Sequence, residues 1–389
     1  MPFTDHKQYQ NKMRSSWDCL FLAPLSVGLK SIPLLLVLFL SACTRVTSPT
    51  RTPPSIATPQ STMAIDPGEA DLTTHELQAL QTLQKVDNYP LYVMTYKPAA
   101  RTPAQYNIPD RFLFEFDRSE TIGLAWACSL FTAFGNAETG LFARNFDWRY
   151  SPALLLFYDP PGGYSSVTLV DLAYLFNEDE VIQLDKMNLI ERAALLKSVD
   201  LPFDGMNSRG LTIGMAAVPY SRLPEQPDHE TVGSLGIMRR ILDQASDTDE
   251  ALEILSSVNL DWGGGPPLHY LISDIRGQSV LVEFIDGEIV LLDQQETWHV
   301  ATNFLQGTAA KQQDGQCWRY DLIQRDLEIH GGILSMDQAM DLLSRVAQEG
   351  STSGTQWSVV YDNKQGEVQV VMGQNFIQTH VFEFKVDFP

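Results

Sequence analysis

One cysteine in this 389-residue sequence is followed by charged residues at short, fixed distances: Arg144 and Asp147 come sixteen and nineteen positions after Cys128. A guanidinium next to a cysteine sulfur favours the nucleophilic thiolate, and a carboxylate at the same place could hold an amine. The residue types therefore fit a cysteine nucleophile with charged assistants. They also fit a less specific arrangement, in which Cys128 is a small buried hydrophobic residue and Arg144 and Asp147 form a structural ion pair.

The cysteine and the charged residues can meet only if the segments that carry them form a hairpin. Apolar runs bounded by Gly, Asn or Asp predict strands over Cys128–Phe134 and Leu141–Phe146. Pairing of these two strands would return Arg144 and Asp147 to the side of Cys128.

The hydrophobic pattern predicts the rest of the framework. Further strands are expected over residues 91–96, 153–158, 166–170, 211–218, 270–273, 280–284, 288–292, 357–361 and 368–372. Helices are expected after a capping box formed by Thr73 and Glu76, as a pair between Val232 and Ser256, and near 318–329 and 336–348. Because strand blocks alternate with helix blocks, the sequence predicts one layered α+β domain from about residue 71 onward.

The first seventy residues have the features of a targeting sequence followed by a flexible tether. Basic residues precede an apolar run over 32–40, which is shorter than the about 20 residues of a permanent membrane helix. The run ends in Leu-Ser-Ala-Cys, which resembles the bacterial lipobox. We therefore expect a signal peptide over 1–42, lipidation of Cys43, a Ser/Thr/Pro-rich tether over 43–70, and an extracytoplasmic protein of the cell envelope that is lipid-anchored to a bacterial membrane. An uncleaved signal anchor is the alternative.

Composition argues against several classes of protein. With 48 Asp and Glu against 27 Lys and Arg, the net charge of −21 disfavours binding to nucleic acid. Four cysteines are too few for a disulfide scaffold, and the seven histidines lack metal-ligand spacing, so we expect no cofactor and no metal. A conventional Cys-His peptidase, with His269 or His299 as the base, is a further alternative.

Four motifs occur in a fixed order along the chain. They are CSLF at 128–131 with ARNFDW at 143–148, DGMNSRGL at 204–211, ATNF at 301–304, and CWRY at 317–320. Together they resemble the choloylglycine hydrolase family of cysteine N-terminal-nucleophile (Ntn) hydrolases, which includes bile salt hydrolases, penicillin V acylases and acid-ceramidase-like amidases. The resemblance extends over roughly residues 71–389 and implies a four-layer αββα sandwich of two antiparallel sheets.

The resemblance also implies a mechanism and a set of site residues. Family members are cut before the nucleophilic cysteine, here between Ala127 and Cys128. The freed α-amino group, with an ordinary pKa of about 7.7–8.0, then serves as the base, so no histidine is required. The implied catalytic residues are the nucleophile, a guanidinium at its sulfur, a carboxylate for the amine, two oxyanion donors and a second arginine, in the order Cys128, Arg144, Asp147, Asn207, Asn303 and Arg319. From their residue types alone, Asn207 and Asn303 would equally fit turn caps, and Arg319 a helix-surface residue.

The implied substrate is a small molecule with a linear amide and a hydrophobic acyl group: an N-acyl amino acid, N-acyl homoserine lactone, ethanolamide, bile salt or penicillin V type compound. Aromatic and Pro/Gly-rich residues that follow the second strand could wall an acyl pocket, although each also fits an ordinary core or turn role: Trp148, Tyr150, Phe157, Tyr158, Tyr164, Tyr174 and 160–163.

Segment 71–127 carries a predicted capped helix and an apolar strand, which a discarded leader would not need. We therefore expect it to remain bound to 128–389 after cleavage, as a separate chain. The rival hypothesis is a non-catalytic surface lipoprotein of the same fold that binds acylated ligands without turnover.

Overall fold

A computed structural model describes residues 72–100, 128–308, 317–350 and 354–387. The predicted signal peptide, lipidated Cys43, tether and Ala127 lie outside these residues. Within them, no helix is both long enough and apolar enough to cross a bilayer.

Strands make up most of the described chain. In chain order they are β1 (Gln84–Asp87), β2 (Leu91–Tyr96), β3 (Ser129–Ala133), β4 (Leu141–Trp148), β5 (Ala153–Tyr158), β6 (Ser166–Asp171), β7 (Asp204–Asn207), β8 (Thr212–Ala217), β9 (Glu230–Gly233), β10 (Val258–Asp261), β11 (Leu268–Ser273), β12 (Ser279–Ile285), β13 (Glu288–Asp293), β14 (Trp298–Ala301), β15 (Gly354–Asp362), β16 (Glu367–Met372) and β17 (His380–Glu383). The α-helices are α1 (Thr74–Gln81), α2 (Glu178–Ile182), α3 (Ser234–Gln244), α4 (Thr248–Ser256), α5 (Trp318–His330) and α6 (Met336–Arg345), and short 3₁₀ helices cover 172–174, 184–186 and 193–200.

Two large sheets face each other. The larger sheet has the strand order β1-β2-β5-β6-β7-β8-β11-β12-β13, and the smaller has the order β14-β3-β4-β15-β16-β17. Every pairing in them is antiparallel except β2 with β5, which is parallel. Strands β9 and β10 form a separate parallel pair.

Helices cover the outer faces of both sheets. Helices α3 and α4 pack on the larger sheet through β7, β8 and β11, whereas α5 and α6 pack on the smaller sheet through β3, β4, β14 and β15. The layer order is therefore helix, sheet, sheet, helix, which confirms the expected α+β, four-layer αββα sandwich.

Side chains that alternate along β4 pack into two different hydrophobic cores. Phe142 faces the larger sheet and belongs to the central core, while Ala143 belongs to a second core beneath α5 and α6. The sheets approach so closely at Gly214 of β8 that an added Cβ would lie 2.8 Å from the ring of Phe142. A side chain at position 214 would therefore push the two sheets apart.

Residues from 72–100, which precede Cys128 in the chain, contribute to this core. Helix α1 begins at the predicted capping box of Thr73 and Glu76, and β2 inserts into the larger sheet beside β5, with Leu91 and Met94 fully buried. The predicted strands at 91–96 and 153–158 are confirmed to the residue, and most other strands and all four later helices are confirmed within a few residues of their ends.

Candidate active site

The predicted hairpin brings Arg144 to Cys128. Strands β3 and β4 pair antiparallel with Leu130 opposite Arg144, and Cys128 lies one residue before β3. Nη2 of Arg144 lies 3.9 Å from Sγ of Cys128. The guanidinium is fully buried and the cysteine is 5% exposed, so their interaction is shielded from solvent.

Asp147 lies on the opposite face of β4. The hydroxyl of Thr355 donates to its Oδ1 at 2.6 Å, and Oδ2 lies 3.7 Å from Nη1 of Arg319. Oδ2 accepts no hydrogen bond from the described residues. Burial raises the pKa of Asp147 to about 7, although Thr355, Arg319 and Arg144 act in the opposite direction. The Thr355 hydrogen bond therefore holds Oδ1 in place, and Oδ2 is still able to accept a hydrogen bond.

Arg319 joins the parts of the site. It lies in the first turn of α5, and its Nη1 donates to the carbonyl of Cys128 at 2.5 Å and to Oγ of Ser129 at 2.9 Å. Its Nη2 donates to Oδ1 of Asn303 at 3.0 Å. The alternative of a helix-surface arginine does not fit, because Arg319 is only 6% exposed.

Asn303 continues this chain of hydrogen bonds to the larger sheet, since its Nδ2 donates to the carbonyl of Ala217 at 2.8 Å. The backbone N–H of Ala217 projects from the same side of β8 as that carbonyl. On this side β8 extends past its neighbour β7, whose pairing ends where Asp204 faces Gly214. Asn303 and Ala217 therefore place two amide donors close together.

Asn207 is used differently. Its Nδ2 donates to the carbonyls of Leu242 and Ala245 at the end of α3, and its Oδ1 accepts from the backbone N–H groups of Arg209 and Leu211. Neither Asn207 nor Asn303 lines the cavity at Cys128. Among the described residues, the Asn207 side chain forms no hydrogen bond with another predicted site residue, and its contacts are those of a buried turn cap.

A cavity opens beside Cys128 and Arg144. Its wall is mostly apolar and comes from both sheets, the loop after β6 and the start of α3: Phe146, Trp148, Tyr174, Phe203, Met215, Ala216, Ala217, Ser234, Leu235, Pro266 and Leu268. Of the aromatic residues proposed from the sequence, Trp148 and Tyr174 line it. Tyr150, Phe157, Tyr158 and Tyr164 lie outside its lining.

Three residues of the site carry weaker sequence signals. Thr355 is one residue of a mostly apolar strand, and Ala217 contributes only backbone groups, which no sequence motif reveals. Asp204 accepts a hydrogen bond of 2.8 Å from Nη1 of Arg144. It is the first residue of the DGMN motif and follows an apolar Phe, which is an unusual setting for a fully buried carboxylate. The sequence analysis did not assign a role to Asp204, although its position in that motif is a signal that could have identified it.

The histidines considered as bases contact other residues. His269 lies 3.3 Å from Glu283, and Nδ1 of His299 lies 3.1 Å from Oγ of Ser279. Burial lowers the pKa of His299 to about 4. Among the described residues, neither histidine contacts Cys128, and no cluster of His, Cys, Asp and Glu has the arrangement of a metal site.

Comparison with known proteins identifies the class. Residues 128–308 match the family of linear amide C–N hydrolases, choloylglycine hydrolase family. The class is thus that of amidohydrolases acting on linear C–N bonds. This match confirms, for residues 128–308, the resemblance to the choloylglycine hydrolase family seen in the sequence motifs.

Solved structures similar to this chain include two variants of conjugated bile acid hydrolase from Clostridium perfringens. Both are 16% identical, with TM-scores of 0.46 and 0.48, and cover 66% of this chain and 92% of theirs. Penicillin V acylase from Agrobacterium tumefaciens is also similar, with 16% identity, a TM-score of 0.44, and coverage of 65% of this chain and 84% of its own.

Proposed function

We propose that this protein hydrolyses the linear amide bond of small N-acyl compounds, with Cys128 as an N-terminal nucleophile that is exposed by cleavage between Ala127 and Cys128. The observation that carries the proposal is the 3.9 Å approach of Arg144 to the Cys128 sulfur at the wall of an apolar cavity. The candidate substrates are N-acyl amino acids, N-acyl homoserine lactones, ethanolamides, conjugated bile salts and penicillin V type amides.

In the proposed reaction, the free α-amine of Cys128 takes the thiol proton, and Sγ attacks the carbonyl carbon of the amide. The C–N bond then breaks, the protonated α-amine gives its proton to the leaving amine, and a thioester remains on Cys128. Water, deprotonated by the same α-amine, attacks the thioester carbonyl, the C–S bond breaks, and the carboxylic acid is released. The protonated α-amine returns its proton to the Cys128 sulfur, which restores the free amine and the thiol. The α-amine is the only general base that this sequence of steps needs.

Asp147 and Arg319 are suited to hold the new amine in place. Oδ2 of Asp147 accepts no hydrogen bond from the described residues, and Nη1 of Arg319 contacts both that oxygen and the carbonyl of Cys128. An ammonium group beside Asp147 would favour the ionised carboxylate, because opposite charges at short distance stabilise each other. We assign Asp147 to the amine and Arg319 to the orientation of Cys128.

Asn303 and the backbone N–H of Ala217 are the proposed oxyanion donors. They lie together at the end of β8, on the side where its neighbouring strand stops. A preorganised donor of this kind stabilises a transition state by about 2.7–4 kcal/mol. Asn207 has no part in this proposal, since its amide is fully occupied in a turn.

The proposal includes the cell location. The lipobox-like sequence that ends at Cys43 supports a lipoprotein anchored outside the cytoplasm. Expression of the full chain in a bacterial host with a radiolabelled fatty acid tests this step. Label in the wild type and its loss in Cys43→Ala are expected, whereas equal labelling of both would rule out this anchor.

Intact mass measurement tests the nucleophile. Residues 44–389 are expressed as the wild type, as Cys128→Ala and as Cys317→Ala. The wild type and the Cys317→Ala control are expected to split into 44–127 and 128–389, whereas Cys128→Ala stays whole. The split enzyme is then assayed with a panel that contains penicillin V, an N-acyl homoserine lactone, glycine- and taurine-conjugated bile salts and an N-acylethanolamine.

Each result has a definite meaning. Splitting with release of amine from a panel member supports the Ntn amidase. A wild-type chain that stays whole at mildly acidic and neutral pH contradicts self-activation, and a split chain that binds but does not turn over the panel favours the binding lipoprotein.

A further inference from the structure

A second buried carboxylate lies behind Arg144, on the side away from the sulfur. Asp204, the first residue of β7, is fully buried and accepts three hydrogen bonds. Nη1 of Arg144 and Nε1 of Trp357 donate to its Oδ2 at 2.8 and 3.2 Å, and the hydroxyl of Tyr361 donates to its Oδ1 at 2.6 Å. Both oxygens of this carboxylate are therefore fixed.

These contacts determine the direction of the Arg144 guanidinium. Its Nη1 donates to Asp204 and to the carbonyl of Phe203. A guanidinium is a rigid plane, so fixing Nη1 also fixes the direction of Nη2. Nη2 is the nitrogen that lies 3.9 Å from the Cys128 sulfur. The ring of Phe146, 5.0 Å from the guanidinium carbon, packs against the same group.

The two donors from β15 are placed by strand register. Val359 lies opposite Arg144, and Trp357 and Tyr361 lie two residues on either side of it, on the same face of β15. They flank Arg144 and reach across to Asp204 on the other sheet. The Arg144–Asp204 pair thus spans the interface between the sheets, where either charge alone would be strongly destabilising.

We propose that Asp204 is a positioning residue that holds Arg144 with its Nη2 facing the Cys128 sulfur, through the Trp357 and Tyr361 hydrogen bonds that fix the carboxylate. The inference rests on the proposed function in one respect, since it takes Cys128 as the nucleophile. It also goes beyond the proposed function, because it requires Asp204 to orient the Arg144 guanidinium before Arg144 can favour the Cys128 thiolate.

The rate of alkylation of Cys128 by iodoacetamide tests this role without any substrate. Only the thiolate reacts, so the rate reports whether Arg144 still favours it. Peptide mass spectrometry separates Cys128 from Cys317, which is a free and partly exposed cysteine and provides an internal reference in every sample. The measurement applies to the uncut and the cut chain alike, so it remains informative if the protein proves not to be an amidase.

Asp204→Asn keeps the shape of the side chain and removes its charge. We expect alkylation of Cys128 to slow about tenfold, because a charge-assisted hydrogen bond to Arg144 is lost. Tyr361→Phe removes one of the donors that fix the carboxylate and is expected to slow alkylation about threefold. Alkylation of Cys317 is expected to stay unchanged in both variants.

A matched variant on β15 distinguishes loss of Arg144 positioning from a general loss of stability. Ser358 is buried on the opposite face of β15 and donates to Oδ1 of Asn145 at 2.7 Å. Ser358→Ala therefore removes a buried hydrogen bond without touching Arg144 or Asp204. Its melting temperature is expected to fall about as far as that of Tyr361→Phe, while alkylation of Cys128 stays within about twofold of the wild type.

A double variant supplies the decisive comparison. If Asp204 acts through Arg144, adding Asp204→Asn to Arg144→Gln should slow Cys128 no further than Arg144→Gln alone. Full additivity of the two effects would overturn the proposal. An unchanged or faster rate in Asp204→Asn would overturn it as well, since Asp204 would then only offset the charge of Arg144.

Discussion

The hydroxyl of Thr355 donates a 2.6 Å hydrogen bond to Oδ1 of Asp147, the residue opposite it in the neighbouring strand. This contact exists because β15 carries a bulge between Thr355 and Trp357. In a regular strand these two residues would share one face. The extra residue turns Thr355 toward Asp147 on the helix side and Trp357 toward the interface between the sheets, so one strand supports both sides of the site.

Loss of the Thr355 hydroxyl should change the pH dependence of activity. Burial raises the pKa of Asp147 to about 7, and the Thr355 hydrogen bond lowers it. In Thr355→Val that pKa should rise further, and the acid limb of kcat/KM should move up by about one pH unit. Thr355→Ser keeps the hydroxyl and should retain the wild-type profile. A wild-type profile for Thr355→Val would show that ionisation of Asp147 does not limit the reaction.

Asp171 should control how stability changes with pH. It is fully buried, burial raises its pKa to about 7, and its Oδ1 accepts from the N–H of Ala173. Since the folded pKa lies above the ordinary value of 3.8, the folded state holds a proton that the unfolded chain releases between about pH 4 and 7, and stability falls as pH rises through that window.

Asp171→Asn removes this titration. We expect its melting temperature to fall less than that of the wild type between pH 5 and 8, with a difference of about 2 kcal/mol in unfolding free energy over that interval. Asp179→Asn, on an exposed turn of α2, provides the control and should follow the wild type. Identical pH dependence in Asp171→Asn and the wild type would place the titration elsewhere.

The two asparagines named from the sequence should respond differently to truncation. Asn303→Ala removes a proposed oxyanion donor, so kcat should fall about 100-fold or more. Its melting temperature should fall less than that of Asn207→Ala, because the half-buried Asn303 side chain has two hydrogen bonds and the buried Asn207 side chain has four. Asn207→Ala removes hydrogen bonds at the end of α3 and should lower stability by about 1–3 kcal/mol, with kcat per folded molecule near that of the wild type. Both readouts are taken on the same preparations, with active sites counted by Cys128 alkylation. An equal loss of kcat in both variants would contradict the assignment.

Enlarging the cavity should alter acyl selectivity. Leu235 lines the cavity from the first turn of α3, whereas Leu242 on the same helix is equally buried and does not line it. Both Leu→Ala variants should lose about 2–5 kcal/mol of stability. Only Leu235→Ala should shift kcat/KM toward bulkier acyl groups, by about tenfold, measured as the ratio for two substrates that differ in acyl size. The same shift in Leu242→Ala would indicate a general loosening.

How far the site could be predicted depends on the range of the interactions. The Arg144 contact with Cys128 follows from a local hairpin, which alternation and turn residues predict well. The role of Asn207 depends on carbonyls 35 and 38 residues away at the end of α3. A short motif carries no information about such partners. The bulge at Gln356 and the Asp204 network likewise require a register between strands that are distant in sequence, which hydrophobic patterning leaves open.

The position of strand β2 determines how the cut molecule can refold. It lies in the interior of the larger sheet, with Leu91, Tyr92 and Met94 fully buried, yet it precedes the proposed cleavage point. Before cleavage its docking is intramolecular, and afterwards the same contacts join two chains. Refolding then becomes second order, and its yield falls on dilution. The mature enzyme would thus persist because it unfolds slowly, and only the uncut precursor would retain the ability to renature alone.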